Sequence, residues 1–384
     1  MARTNRKRQP RGIDRATCGQ IVLVLQGGGA LGAYQAGVYQ ALQEYGIEPD
    51  WVIGTSIGAI NAALIAGNAP DRRLDRLREF WRRVRHSPFA QFLGTAPVIG
   101  SRAVNALTIS TGVSGFFKPN YLAFGPVHIP LGAEHAGYYS TRPLEVTLEE
   151  LTDNDCLNSG KPRLTVGAAN VRTAEMVYFD SRDTALNVSH IMASGALPPA
   201  FPAIRIDREL YWDGGVLSNT PVEAVFDDKP RRNGLIFVVH MWNPNGPEPD
   251  SIGRVLARQK DLQYSSRSKA HIERQRQIHK LRHIIAELAR HLPEETRKVP
   301  MLQEMAAHGC LTRMHVVRLL APPLQGEDHS KDIDFSPEGI QHRWDAGYAD
   351  TIRVLDQAPW TAGIDPHEGF ILHEAEAGHL ATLE

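Results

Sequence analysis

A serine lies between two glycines in Gly54-Thr55-Ser56-Ile57-Gly58, a match to the G-x-S-x-G pattern of a nucleophilic serine on a sharp turn. Small neighbours allow the backbone to fold tightly there. The hydroxyl then lies at a helix N-terminus, where unpaired N–H groups and the helix dipole favour developing negative charge. The pattern indicates nucleophilic attack by Ser56. The alternative is a strand-to-helix turn in which Ser56 only caps the helix.

Three consecutive glycines, Gly27, Gly28 and Gly29, occupy a second joint of this kind earlier in the chain. Their N–H groups could form an oxyanion hole for acyl transfer. Together with Gly32 they also satisfy the G-x-G-x-x-G spacing of a dinucleotide site. Such a site needs an acidic residue at the end of the second strand, and Asp50 precedes that strand. A tight packing turn is the third interpretation.

A third group of candidates is Asp213 with Gly214 and Gly215, at the end of a hairpin-like run. Asp-Gly is a common hairpin turn, which is the purely structural interpretation.

Apolar patterns predict the elements that position these residues. A buried strand is predicted at 19–26 and a helix from Ala30 onward, followed by a strand at 51–54 and a helix at 57–66. This alternation predicts a parallel sheet covered by helices. Further strands or strand pairs are predicted at 163–171, 174–181, 205–222, 234–242 and 314–321, and further helices at 71–85, 143–152, 189–196, 251–292 and 336–355. The segment 87–141 has weak periodicity and is expected to border a binding site.

Taken together, the glycine loop, GTSIG and the distant DGG resemble the patatin-like phospholipase family. ASGALPPAFPAI (193–204) and DGGVLSNTPV (213–222) match two further family patterns, in the family's order. The resemblance covers about residues 19–240 and implies a doubly wound, mostly parallel α/β sheet flanked by helices. We expect a mainly helical C-terminal extension to follow this sheet.

The resemblance implies a lipid acyl hydrolase that uses a Ser-Asp dyad without histidine. Carried over, Ser56 is the nucleophile and Asp213 the general base, while Gly28 and Gly29, with Gly27, form the oxyanion hole. The motif-supporting residues are Gly54, Gly58, Gly214 and Gly215. Leu31 departs from the pattern, since many relatives carry a basic residue there.

Composition suggests a basic disordered tail at 1–18 and a boundary near residue 243. The resemblance implies a catalytic domain at 19–243, and we expect an extension at 244–384 that is mainly helical with one strand. The extension, notably DFSPEGIQHRWDAGY, resembles that of a bacterial subgroup sometimes linked to hydroxybutyrate metabolism. Short hydroxyacyl esters are therefore an alternative substrate.

Two other kinds of protein remain open. An ordinary hydrolase with a Ser-His-Asp triad would need a late histidine, such as His240. A non-catalytic lipid-binding protein would use the basic helix at 254–290 as its contact surface. The apolar residues of this helical segment are expected to form a buried stripe, which consists of Ile278, Leu281, Ile285, Leu288 and Leu292. The histidines lack HExxH-like spacing, so no metal site is predicted, and no cofactor is expected.

The overall charge does not indicate a binding partner, because 42 basic and 43 acidic residues leave a net charge of −1. We expect a lipid or other acyl-ester substrate and no nucleic-acid partner. The three cysteines form no CxxC pair, and no apolar run is long enough to span a membrane. These features favour a cytoplasmic protein. The basic tail and the basic helix allow a peripheral contact with anionic membrane.

Overall fold

The computed structural model describes residues 13, 15–86, 110–124, 128, 130–324, 327–362 and 369–374. Most of the predicted basic tail lies outside the described residues. Its last part differs from the prediction, because Arg15–Cys18 forms a short helix, α1. Cys18 is buried in the core and Arg15 pairs with Asp50 at 2.8 Å.

A nine-stranded mixed sheet forms the centre of the described part of the chain. The strands in the described residues are β1 (Gln20–Leu25), β2 (Trp51–Thr55), β3 (Lys118–Pro119), β4 (Tyr139–Ser140), β5 (Arg163–Asn170), β6 (Met176–Asp180), β7 (Ile204–Ile206), β8 (Glu209–Asp213), β9 (Gly234–His240), β10 (Met314–Leu320) and β11 (Phe370–Glu374). The order is β11-β10-β9-β1-β2-β5-β8-β7, with β6 also paired to β5. All pairs from β11 to β5 are parallel, while β6, β7 and β8 pair antiparallel. β3 and β4 form a separate ribbon.

Helices cover both faces of this sheet. The α-helices of the described residues after α1 are α2 (Ala33–Glu44), α3 (Ile57–Ala66), α4 (Arg73–Arg83), α5 (Arg142–Leu151), α6 (Asn154–Asn158), α7 (Val188–Ser194), α8 (Glu223–Phe226), α9 (Ile252–His291), α10 (Glu294–Arg297), α11 (Pro300–Ala307) and α12 (Pro337–Gln357). Neighbouring residues of β1 point to opposite faces. Leu23 belongs to one core cluster with Leu42, and Val24 to a second with Phe226 and Ile272. The predicted doubly wound architecture is confirmed.

The extension contributes two strands, β10 and β11, where one was predicted. Both continue the same parallel sheet beyond β9. Its last helix, α12, lies directly on α2, since a methyl group on Gly37 would be 1.9 Å from the Trp344 carbonyl oxygen and one on Gly347 would be 2.0 Å from that of Tyr34. The change in composition near residue 243 therefore falls within one continuous sheet.

The predicted buried stripe of the basic helix is wrong at two positions, whereas Ile278, Ile285 and Leu292 are half-buried. Leu281 and Leu288 of α9 are 61% and 64% exposed. The face turned to the protein carries Ile272, His279 and His283 instead. These positions are seven and four residues apart and therefore share one side of a helix. Within the described residues, no helix has both the length and the apolar character needed to cross a membrane.

Candidate active site

Ser56 occupies a strained turn between β2 and α3. Its φ of 58° and ψ of −126° lie in a region that residues with a side chain rarely adopt. The flanking glycines make the turn possible. A methyl group on Gly54 would lie 2.2 Å from the carbonyl oxygen of Gly58, and one on Gly58 would lie 2.2 Å from that of Leu25. The Ser56 side chain makes no capping hydrogen bond to α3, so it is available to face outward.

A second serine holds the turn from behind. The backbone N–H of Ser56 donates to Ser194 Oγ at 3.0 Å, and Ser194 Oγ donates to the carbonyl of Gly167 at 2.6 Å. Ser194 is completely buried. It lies in the ASGALPPAFPAI block, to which sequence reasoning assigned no role. The structure links this block to the Ser56 turn.

Strand register brings Asp213 to Ser56. β2 ends with Thr55 paired to Gly167 of β5, and Asp213 of β8 pairs with the next residue, Ala168. The serine after Thr55 and the aspartate are therefore close in space, although 157 positions separate them in the chain. The glycines after Asp213 are constrained as well, because a methyl group on Gly214 would lie 2.5 Å from the Gly167 carbonyl oxygen.

The Asp213 carboxyl is 2% exposed, and this burial raises its pKa from 3.8 to about 6. Hydrogen bonds from the Ser56 side chain and the Gly215 N–H partly oppose the rise. The Gly215 N–H donates to Oδ1 at 2.7 Å. Such a carboxylate is a stronger proton acceptor than an exposed aspartate, and it is ionised at neutral pH.

The three glycines of the loop after β1 differ in whether their backbone N–H groups are already hydrogen-bonded. The N–H of Gly27 donates to the carbonyl of Asn219 at 3.1 Å, so it is already engaged. The Gly27 carbonyl in turn accepts from Asn219 Nδ2 at 3.1 Å and from Trp242 Nε1 at 2.8 Å. Among the described residues we find no acceptor for the N–H groups of Gly28 and Gly29. The geometry therefore favours these two as donors and argues against Gly27.

The structure argues against a dinucleotide site, because the candidate acidic residue is far from the glycine loop. Asp50 lies before β2, where Oδ2 accepts the backbone N–H of Ile21 at 2.8 Å and Oδ1 accepts from Arg15. It is therefore at the amino end of β1, whereas the glycine loop follows the carboxyl end. A carboxylate at that end of the sheet cannot contact a ribose held on the loop.

A cavity of about 180 Å³ opens over Ser56 and Asp213. Its described lining is mostly apolar and consists of Gly27, Gly28, Gly29, Ser56, Ile57, Ile60, Phe116, Phe117, Tyr139, Gly195, Leu197, Ala200, Phe201, Asp213, Gly215, Asn219, Trp242, Tyr264, Asp332, Ile333 and Phe335. Phe117 packs edge-on against Tyr139 at 4.9 Å between ring centroids, and Phe116 lies 5.7 Å from Phe335. An aromatic wall next to the polar groups of Ser56 and Asp213 could hold an apolar ligand chain.

Sequence reasoning missed the part of this wall that comes from beyond β9. Trp242, Tyr264, Ile333 and Phe335 all line the cavity. The DFSPEGIQ stretch contains Phe335, yet no pattern tied it to the serine. The expectation for 87–141 fits the described part of that segment, since Phe116, Phe117 and Tyr139 line the cavity; residues 87–109 lie outside the described residues.

No histidine is present among the described residues that line the cavity. His240 ends β9, is 1% exposed and does not contribute to the lining. Burial and the neighbouring Arg318 lower its pKa to about 3. Within the described part of the chain, no group of three or more His, Cys, Asp or Glu side chains could hold a metal ion.

Two family models match the chain. The first, described as "Patatin-like phospholipase", matches residues 23–226, and the second, described as "Patatin phospholipase", matches residues 262–367. The first match extends over more than half of the 384 residues.

Several curated proteins are similar over part of the chain. "Lysophospholipase nte1" of Aspergillus niger is 27% identical over 259 residues, which is 64% of this chain and 15% of that protein. "Lysophospholipase nte1" of Aspergillus terreus is 55% identical over 58 residues, or 15% of this chain and 4% of that protein. "cGAMP-activated phospholipase" of Pseudomonas aeruginosa is 26% identical over 251 residues, or 62% and 61% of the two chains. The chain thus spans only a small part of the fungal proteins' length.

Solved structures match this chain with low TM-scores and low sequence identity. VipD from Legionella pneumophila matches with a TM-score of 0.37 and 18% identity, covering 88% of this chain and 67% of that one. The ExoU–SpcU complex of Pseudomonas aeruginosa matches with a TM-score of 0.34 and 17% identity, covering 89% and 52%. The family rests on the sequence models and on the motifs that the fold brings together. The chain belongs to the patatin-like phospholipase family.

Proposed function

We propose that this protein is a serine hydrolase that cleaves acyl esters of lipids. One observation carries the proposal: the strained turn directs Ser56 towards the buried Asp213 carboxyl, beneath an apolar cavity and next to two unengaged N–H groups. These features support a single site with a nucleophile, a base, oxyanion donors and space for a substrate.

In the first half-reaction, Ser56 Oγ attacks the ester carbonyl while its proton passes to Asp213. The N–H groups of Gly28 and Gly29 stabilise the negative charge on the carbonyl oxygen, and one such donor typically contributes about 10²–10³ in rate. The intermediate collapses when the C–O bond to the alcohol breaks. Asp213 returns the proton to this leaving oxygen, and the acyl group remains on Ser56.

In the second half-reaction, water takes the place of the alcohol. Asp213 accepts a proton from the water as the oxygen attacks the acyl carbon, and the same two N–H groups hold the new oxyanion. Collapse breaks the bond to Ser56, which recovers its proton from Asp213. The products are a free carboxylic acid and the resting enzyme. With no histidine among the described lining residues, a Ser-Asp dyad accounts for both proton transfers.

The wall of the cavity favours a lipid substrate over a short hydroxyacyl ester. Phe116, Phe117 and Phe201 offer aromatic surface, whereas a hydroxyl on a short acyl group would lose its hydrogen bonds to water there. Relatives named as phospholipases and lysophospholipases agree with this preference. We also propose a peripheral contact with anionic membrane through the basic surface of α9, which would bring the cavity to its substrate.

The test is hydrolysis of p-nitrophenyl esters of increasing chain length and of a lysophospholipid, by wild type and by Ser56→Ala and Asp213→Asn. Ser189→Ala is the matched control, because this exposed serine lies outside the cavity. We expect the wild type and the control to cleave medium or long acyl chains, and both dyad variants to be folded but inactive. Activity of Ser56→Ala equal to wild type would refute the proposal, and a clear preference for short hydroxyacyl esters would refute the lipid assignment.

A further inference from the structure

A short segment of the extension lies against the glycine loop. We call Lys331–Phe335 the strap. The carbonyl oxygen of Asp332 approaches Gly29 so closely that a methyl group on this glycine would lie 2.2 Å away. The φ of +57° at Gly29 also favours glycine. Asp332, Ile333 and Phe335 of the strap line the cavity. The strap is therefore in direct contact with the loop that offers the proposed oxyanion donors.

Two lysine–aspartate pairs attach the strap to neighbouring positions of α9. Lys260 Nζ contacts both carboxylate oxygens of Asp332, at 2.7 and 2.9 Å, and also donates to the carbonyl of His329 at 2.9 Å. Lys331 Nζ pairs with Asp261 at 2.8 Å. The side chains of Lys260 and Asp332 are 34% and 21% exposed, so water only partly screens this first pair.

The position of Asp332 has an electrostatic cost for the proposed reaction. The Cβ of Asp332 would lie 3.7 Å from a methyl group on Gly29, so the carboxylate that this side chain carries is close to the loop. Its charge repels the negative charge that develops on the substrate oxygen, and the repulsion is stronger where water is partly excluded. The Lys260 ammonium cancels most of that charge while it holds both carboxylate oxygens. Without Lys260, the oxyanion donors would act next to an unbalanced negative charge.

We propose that Lys260 is a positioning residue for the oxyanion hole, which neutralises Asp332 and fixes its carboxylate away from the reacting oxygen. This inference rests on the proposed function. Lys260 acts through Asp332 and the strap and does not touch the substrate. The extension is then part of the catalytic apparatus, because it supplies both the charge near the loop and the cation that balances it.

The experiment compares Lys260→Met, Asp332→Asn and the double variant, with Lys280→Met as the control, an exposed lysine of the same helix. We measure kcat and KM for the preferred ester, the rate at which a fluorophosphonate labels Ser56, and thermal unfolding. We expect Lys260→Met to lower kcat and the labelling rate about tenfold or more, with KM little changed, because stabilisation of the transition state is lost. The kcat and labelling rate of the double variant should recover to within about threefold of wild type. Those of the control Lys280→Met should equal wild type.

Three results would overturn the inference. The first is that Lys260→Met reacts with the fluorophosphonate and turns over ester like wild type. The second is that the double variant stays as slow as Lys260→Met. Either would make the pair purely structural. If wild type neither cleaves esters nor reacts with the fluorophosphonate, the proposed function fails and the inference fails with it. Normal labelling of the wild type separates that case from the other two.

Discussion

Replacing Asp213 by asparagine should stabilise the protein at neutral and alkaline pH while abolishing hydrolysis. Burial raises the pKa of this carboxyl from 3.8 to about 6. The folded protein therefore holds the proton more tightly than the unfolded chain. This tighter proton binding stabilises the folded protein. The stabilisation is fully present below the unfolded pKa of about 4 and is lost as the pH rises through about 6. Asparagine has no charge to desolvate and escapes this loss.

The size of the effect follows from the two pKa values. At about 1.4 kcal/mol per pH unit, the difference between 3.8 and about 6 corresponds to about 3 kcal/mol. Above about pH 7, asparagine should raise the free energy of unfolding by up to this amount, since its side-chain oxygen can still accept the Gly215 N–H. Near pH 4 the folded wild type is itself protonated, so the gain should fall below about 1 kcal/mol.

The assay is urea unfolding of wild type and Asp213→Asn from about pH 4 to about pH 8, within the range where both stay folded. Asp71→Asn is the control, because this aspartate is exposed and outside the site. It should change stability by less than about 0.5 kcal/mol at every pH. Ester hydrolysis by Asp213→Asn is measured on the same preparations, so that a rise in stability and a loss of activity are compared directly.

A pH-independent difference in stability would refute the reasoning, and so would an Asp213→Asn variant less stable than wild type at about pH 8. Either result would mean that the folded protein does not desolvate the carboxylate. The raised pKa would then have no physical basis, and Asp213 would be no better a base than an exposed aspartate.

Three further predictions concern the same site. The value of kcat/KM should fall about tenfold from pH 7 to pH 5, since ionised Asp213 is required, and a flat pH profile would contradict this. Gly58→Ala should lower the free energy of unfolding by about 1–3 kcal/mol in urea, because its methyl group would collide with the Leu25 carbonyl; unchanged stability would show that the turn can relax. His240→Asn, if folded, should keep kcat/KM within about threefold of wild type, and an inactive folded variant would favour a catalytic triad.

Sequence periodicity and small-residue patterns were enough to predict the scaffold of the site. The helix predicted at 57–66 coincides with α3, and the strand predicted at 51–54 is β2 with one residue more. Both follow from local rules, because an apolar run that ends in glycines and is followed by helical periodicity is typical of a strand, a tight turn and a helix. The contact between Ser56 and Asp213 is different in kind. The motifs suggested it, but it depends on which edge of β5 pairs with β8.

Properties that depend on burial or on distant pairing could not be predicted from sequence. The glycines of the loop look equivalent in sequence, yet Gly27 is engaged by Asn219, 192 positions away. The apolar residues of α9 suggested a buried face, but an amphipathic pattern does not identify which face meets the protein, and Leu281 lies outside. The contact of Asp332 with the glycine loop has no local signal at all.

The strained serine and the buried carboxylate both cost stability, and the extension adds packing to the same sheet. Holding Ser56 at positive φ costs about 1–3 kcal/mol, and keeping Asp213 ionised costs about as much again at neutral pH. Packing elsewhere must offset both. β10 and β11 widen the sheet, and α12 packs tightly on α2, the helix that follows the glycine loop. The extension therefore adds buried core at a distance from Ser56 and Asp213, while its strap lines the cavity. A variant that loosens α12 from α2, such as Gly347→Leu, should lower stability and activity together, whereas Lys260→Met should affect activity with little change in unfolding temperature.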